Sequence, residues 1–158
     1  RILFSAHGLP RKVVDAGDPY QWQVEQTASA IVDAMGGYKD WAICYQSRVG
    51  PLEWIGPSTE DELLRAANDR VGVIVVPIAF VSEHSETLVE LDIEYRELAT
   101  DLGIPNFDRV PALGTHPFFI EGIGSLVRNA CEHIGPGPYG GAEGSRICPT
   151  SFGKCPIL

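Results

Sequence analysis

The chain has 158 residues, 44% hydrophobic and 21% charged, the proportions of one soluble globular domain able to bury a core without disulfide or metal staples. A net charge of −9 argues against nucleic acid as the partner and suits a protein that attracts cations. Four widely spaced cysteines do not make a secreted disulfide framework, and no apolar run reaches the roughly 18 residues of a membrane span, so a reducing cytoplasm is the expected setting.

Residues 1–6 (RILFSA) read as a short buried strand ending at His7-Gly8-Leu9-Pro10, where Gly8 and Pro10 punctuate a loop. No apolar leader precedes this strand, and a chain that opens on a strand without methionine reads as a piece of a longer protein. Asp18-Pro19 supplies an N-cap and a first-turn proline for a helix through Trp22, Val24, Ala28, Ile31, Val32 and Met35, which Gly36-Gly37 stop. Residues 41–46 (WAICYQ) form a second strand, and Ser58 to Glu62 start a helix with a capping-box-like, acidic first turn that runs to about Arg70. Residues 71–79 are expected as a strand buried on both faces. After a turn over residues 80–86 a helix follows, on which Leu88, Leu91, Tyr95 and Leu98 form the apolar stripe. A weaker strand at about 107–112 precedes a last helix from Pro117 to about His133, with His116 at its start. Residues 135–145 then read as a flexible linker before a tail carrying Cys148 and Cys155.

This β-α-β-α-β-α-β-α order implies an α/β fold, a three-layer Rossmann-like domain with a four-stranded parallel sheet and helices on both faces. Ligands in such sheets bind beyond the carboxyl ends of the strands. His7, the loop Gln46-Ser47-Arg48, the loop 80–86 and His116 all follow strand ends and are expected to converge on one rim. Glu86, Glu90 and Glu94 stand at i, i+4 and i+8, a like-charge column that costs roughly 0.2–0.5 kcal/mol per pair. It is either a solvated acidic face or, with His84 and Glu86 at its head, a path of oxygen and imidazole ligands for a divalent cation. His7 is a plausible general base. Tyr45, Trp54 and Phe80 with Arg48 suit a large planar ligand bearing carboxylates, although Trp54 and Phe80 serve equally as core packing. No GxGxxG follows the first strand, and no GxxxxGK[ST] or GxSxG occurs, which argues against nucleotide cofactors and serine hydrolysis.

SAHGLP at 5–10, GDPY at 17–20, QSRVGPLEWIGP at 46–57 and PIAFVSEHSETLVELDIEY at 77–95 resemble the signature segments of ferrochelatases, in the same order. The resemblance implies residues 1–134 as the C-terminal chelatase domain of a two-domain enzyme that inserts ferrous iron into a porphyrin, its N-terminal half being absent, and residues 135–158 as linker and tail. It implies His7 as the residue that removes pyrrole protons, His84 and Glu86 as its catalytic companions, and His7, Glu86, Glu90 and Glu94 as metal contacts. Ser47 and Arg48 would touch the porphyrin, with Trp54 and Phe80 bordering it. Partners would be the porphyrin, a divalent metal and the missing domain, with peripheral membrane contact in some relatives. Some relatives hold a 2Fe–2S cluster on C-terminal cysteines. Six residues stand between Cys148 and Cys155, part of that pattern, with Cys131 or Cys44 as further candidates, but Ile157 occupies a position that is cysteine elsewhere. Cys44 reads as a core strand residue, and four thiolates are needed, so free thiols are expected. A cobalt or nickel chelatase of the same fold, and a non-catalytic metal- or tetrapyrrole-binding domain, are the alternative readings.

Overall fold

The computed structural model describes residues 1–132 and 146–157; His133 and the linker 135–145 lie outside the described residues. Strands β1 (Ile2–His7), β2 (Trp41–Gln46), β3 (Val73–Pro77) and β4 (Phe107–Arg109) form one parallel sheet in the order β2-β1-β3-β4. Helices α1 (Arg11–Asp15), α2 (Tyr20–Ala34) and α3 (Thr59–Asp69), a π-helix (Glu86–Glu94) that runs on into α4 (Tyr95–Asp101), and α5 (Pro117–Glu132) complete the chain. β1 lies between β2 and β3, with His7 level with Gln46 and Ser5 level with Pro77, so its carboxyl end sits where the strand order reverses. That position is where open α/β sheets bind ligands.

Local chemistry sets the helix ends. Asp18 Oδ1 accepts the Tyr20 N–H at 2.9 Å, and Gly36 and Gly37 take φ of 83° and 77° where α2 stops. The capping box of α3 forms as the sequence predicts. Ser58 Oγ accepts from Asp61 N and Asp61 Oδ2 accepts from Ser58 N, both at 3.1 Å.

One face of the sheet packs Leu3, Cys44, Val73 and Val75 against Leu63 and Ala66 of α3 and Leu91, Tyr95 and Ala99 of the next helical pair. The other face packs Ile2 and Phe4 on Ala28 and Val32 of α2, and Ala6 and Tyr45 on Val24. Fully burying a Leu or Phe contributes roughly 1.5–3 kcal/mol, so these two layers carry the fold.

Four expectations are corrected. Residues 11–15, read as loop, form the single-turn α1, with no side-chain cap of its own; the Arg11 N–H donates to Glu53 O at 2.8 Å. β3 is shorter than 71–79 and is not buried on both faces: Ile74 is 45% exposed on the face where Val76 packs with Ala28 and Val32 of α2. Tyr45 is not on the rim but in the core, 1% exposed. Finally, the helix after β3 begins with i→i+5 winding rather than α geometry. The wider turn brings Thr87, Leu91 and Tyr95 onto the sheet at steps of four and leaves Leu88 47% exposed, so Thr87 replaces Leu88 in the buried stripe.

Candidate active site

His7 is the last residue of β1, and its carbonyl accepts the Tyr20 hydroxyl at 2.9 Å, which fixes the strand end. Burial, with the charge of Glu86 nearby, pushes the Tyr20 phenol up to about 12, so it remains a donor. His7 Nδ1 lies 2.7 Å from Gly8 O. A carbonyl only accepts, so Nδ1 carries the proton and Nε2 is the basic nitrogen of the neutral ring. Nε2 stands 3.7 Å from Glu86 Oε1, and both side chains are over a third exposed. Gly8 keeps the space beside it tight, since a Cβ there would lie 3.1 Å from both Gln46 O and Arg48 Cγ and 3.3 Å from Trp54.

The loop after β2 is organised by Glu90. One carboxylate takes four donors: Gln46 Nε2 at 2.9 Å, Ser47 N at 2.6 Å, Ser47 Oγ at 2.5 Å and the Tyr95 hydroxyl at 3.1 Å. Ser47 adopts a left-handed φ of 58°, a conformation that these bonds hold in a non-glycine residue. Gln46, fully buried, accepts from Ser5 Oγ at 2.6 Å and also donates to the Glu86 carbonyl at 2.8 Å. It therefore links β1, β2 and the first turn of the π-helix. Glu86, Glu90 and Glu94 line one open cleft of about 400 Å³ with Ser47, Val49, Ser85 and Val89. The carboxylate column is real, but its members differ. Glu86 and Glu94 face the cleft, whereas Glu90 is engaged by its own scaffold.

His84 is exposed at the head of the π-helix. Its Nδ1 accepts the Glu86 N–H at 3.2 Å, and its ring lies 5.1 Å from that of Phe80, which is buried. Neighbouring Glu83 has an unusual carboxyl. Burial alone would raise it, but hydrogen bonds from Thr87, Ala112 and Arg109 and the charge of Arg109 hold it down at about 2, against 4.5 for a free side chain. The folded value is the lower one, so the stabilisation is complete above about pH 4.5 and is lost as the pH falls towards 2. Thermal midpoints measured down that range are expected to fall more steeply for the unaltered chain than for Glu83→Gln; parallel curves would contradict the assignment.

Of the other predicted residues, Arg48 is exposed and extends over Gly8, while Trp54 is half-buried with its Nε1–H sealed from solvent and unpaired among the described residues. His116 does not join the site. It precedes α5, its carbonyl accepting the Ile120 N–H at 3.0 Å and its ring lying tilted 5.6 Å from that of Phe118. Cys148 and Cys155 are buried side by side against α2, where burial and the Cys155 thiol together raise the Cys148 thiol. Cys131 is exposed on α5, and Cys44 is a core residue pushed up to about 12 by burial. A four-thiolate set for an iron–sulfur cluster is not assembled among the described residues. Nor do three or more His, Cys, Asp or Glu side chains there converge as a ready-made metal cage. Sequence reasoning missed Tyr20, Tyr95, Glu83, Arg109 and the scaffolding role of Gln46. The signal for Tyr20 and Gln46 was their place inside the GDPY and QSRVGP segments, while Arg109 carried none.

A family model described as Ferrochelatase matches residues 1–131. The ferrochelatase of Caulobacter vibrioides (strain NA1000 / CB15N) is 56% identical over 156 residues, covering 99% of this chain and 44% of the relative. That of Pelagibacter ubique (strain HTCC1062) is 51% identical over 160 residues, covering 100% of this chain and 46% of the relative. The chain thus spans under half the length of the curated relatives it matches. Among solved structures, a CbiX protein from Marinobacter aquaeolei VT8, described under cobalamin (vitamin B12) biosynthesis, superposes with a TM-score of 0.60 at 20% identity, covering 83% of this chain and 96% of that one, a likeness of fold alone. With a family model over most of its length and relatives at half identity across nearly all of it, the chain belongs to the ferrochelatase family.

Proposed function

We propose that this chain is the C-terminal half of a ferrochelatase, a lyase that inserts ferrous iron into protoporphyrin IX to form protohaem. The observation that carries the reading is the His7–Glu86 pair, 3.7 Å apart at the sheet's switch point, in a chain of this family. Iron and porphyrin are the substrates. With Nδ1 donating to Gly8 O, His7 turns Nε2 towards the cleft side as the nitrogen to take a pyrrole proton, and the Glu86 carboxylate stabilises the imidazolium that results. Glu86 and Glu94, with their oxygens towards the cleft, offer hard donors to an entering divalent cation. Arg48, exposed at the rim, suits a porphyrin carboxylate, with Trp54 and Phe80 as the aromatic border. Glu90 contributes fixed negative charge and a rigid loop rather than a loose ligand.

The partner is the N-terminal half of the same polypeptide. Its support is twofold: the relatives are more than twice as long, and α5 has no buried residue, with Phe118 79%, Ile120 50% and Val127 56% exposed. The cleft, open on one side, favours a second reading in which these 158 residues bind metal or porphyrin without turnover. No helix among the described residues is long and apolar enough to cross a membrane, and a cytoplasmic, membrane-peripheral location goes with the reading.

The test is metal insertion into protoporphyrin with Zn²⁺ or anaerobic Fe²⁺, followed by porphyrin fluorescence, on this chain and on the full-length polypeptide. Glu86→Gln is expected to lose insertion while porphyrin affinity stays within a few-fold. A large loss of porphyrin binding would remove Glu86 from the role assigned. A full-length polypeptide that inserts no metal ends the ferrochelatase reading, and binding without turnover by this chain alone supports the second one.

A further inference from the structure

Arg109 ends β4 with its side chain 9% exposed. Its Nε and Nη2 donate to the two carboxylate oxygens of Asp92, each at 2.6 Å, in a bidentate fork. Its Nη1 donates to Glu83 Oε1 at 3.0 Å, and the same oxygen accepts the Ala112 N–H at 2.8 Å. Asp92 belongs to the body of the π-helix, and Glu83 immediately precedes His84. One guanidinium therefore joins the edge strand to both the helix that carries Glu86 and the loop that carries His84.

Other bonds from the same quarter converge on that loop. The Gly114 N–H donates to Val81 O at 2.7 Å. The His84 N–H donates at 3.0 Å to the hydroxyl of Thr87, itself fully buried. Widened i→i+5 winding is rare, mostly limited to single turns and frequent at functional sites, so ties from outside matter for holding the phase of a nine-residue stretch of it. Arg109, Asp92 and Glu83 lie outside the cleft lining, so they act on the chemistry only through what they hold.

We infer that Arg109 is a positioning residue for metal insertion: its fork to Asp92 and its bond to Glu83 set the rotation of the π-helix, and with it the place of Glu86 opposite His7. This inference rests on the ferrochelatase reading above. Lysine keeps the charge but meets its acceptors as a point charge, without the planar fork, so Arg109→Lys separates geometry from charge. Displacing a reacting group by about 1 Å costs up to about a hundredfold in rate.

The experiment compares Arg109→Lys and Arg109→Gln with the unaltered full-length polypeptide in metal insertion, in thermal midpoint and in amide hydrogen exchange. Arg109→Lys is expected to lower kcat by about ten- to a hundredfold, with the porphyrin KM within about twofold. The amides of residues 84–94 exchange faster while those of β1 and β2 do not. An unchanged kcat, a kcat that falls only with the folded fraction, or a rise in KM alone overturns the inference. If the unaltered polypeptide inserts no metal, the ferrochelatase reading fails instead. The exchange data then still decide the structural half, since unaltered exchange over 84–94 would show that Arg109 does not set the π-helix.

Discussion

Replacing His7 with alanine in the full-length polypeptide is expected to reduce metal insertion by about 10²–10⁴-fold while leaving thermal stability nearly unchanged. The two halves of that expectation come from different parts of the geometry. The strand end is held by main-chain groups: the His7 carbonyl takes the Tyr20 hydroxyl, and the Gly8 N–H donates to Gln46 O at 2.8 Å. Neither bond uses the imidazole. The ring itself is 40% exposed, and its polar partners among the described residues are Gly8 O and Glu86, so its loss is expected to leave no large cavity. The chemistry, by contrast, loses the one nitrogen in the site whose lone pair is free while its partner nitrogen is committed as a donor. Insertion rates for both metals and a melting curve on the same preparation check this. Full activity in His7→Ala would remove the base from the mechanism, and a large fall in melting temperature would mean that the ring has a structural role that its contacts do not reveal.

Glu90→Gln should do the reverse. A carboxylate that accepts from Gln46, from the N–H and hydroxyl of Ser47 and from Tyr95 is a hub of charge-assisted bonds, a class whose net contribution is roughly 1.5–3 kcal/mol each and whose members do not add independently when they share one group. An amide supplies one accepting oxygen and an NH₂ that faces other donors. The expected loss is about 2–4 kcal/mol of folding stability, with Ser47 released from its left-handed conformation. Glu94→Gln, on the exposed side of the same column, is expected to change stability by less than about 0.5 kcal/mol. Denaturant unfolding of the two variants side by side separates a structural hub from a cleft ligand. Equal, small effects would place Glu90 with Glu94 among the loose carboxylates.

These two contrasts mark how far the sequence reached. The alternation of strands and helices, the parallel sheet, the capping box at Ser58 and the stop at Gly36-Gly37 were legible because each is a local rule written in neighbouring residues: periodicity, a side chain that caps its own helix, a glycine where φ turns positive. His7, Glu86 and the cleft were legible too, since strand ends in such a sheet face one rim whatever the details of packing. α1 escaped because a single turn has no period to detect and stands on a bond to Glu53, far along the chain.

The winding of the helix after β3 was hidden for a related reason. Helical spacing in the sequence does not distinguish i→i+4 from i→i+5 bonding, and the segment is met from outside by Gln46 and Arg109, which no local pattern announces. The wider winding moved Leu88 outward and Thr87 inward. The sequence by itself determined the architecture and the rim to which His7 and Glu86 are brought, because those follow from short-range pattern and from topology. Only the tertiary structure decided that the Glu90 carboxylate is taken up by Gln46, Ser47 and Tyr95 while those of Glu86 and Glu94 accept no hydrogen bond from the described residues, and that an edge-strand arginine is tied to Asp92 and Glu83. Which lone pairs are already occupied depends on donors brought from 40 or more residues away, as Gln46 and Ser47 are to Glu90, and no local rule carries that information.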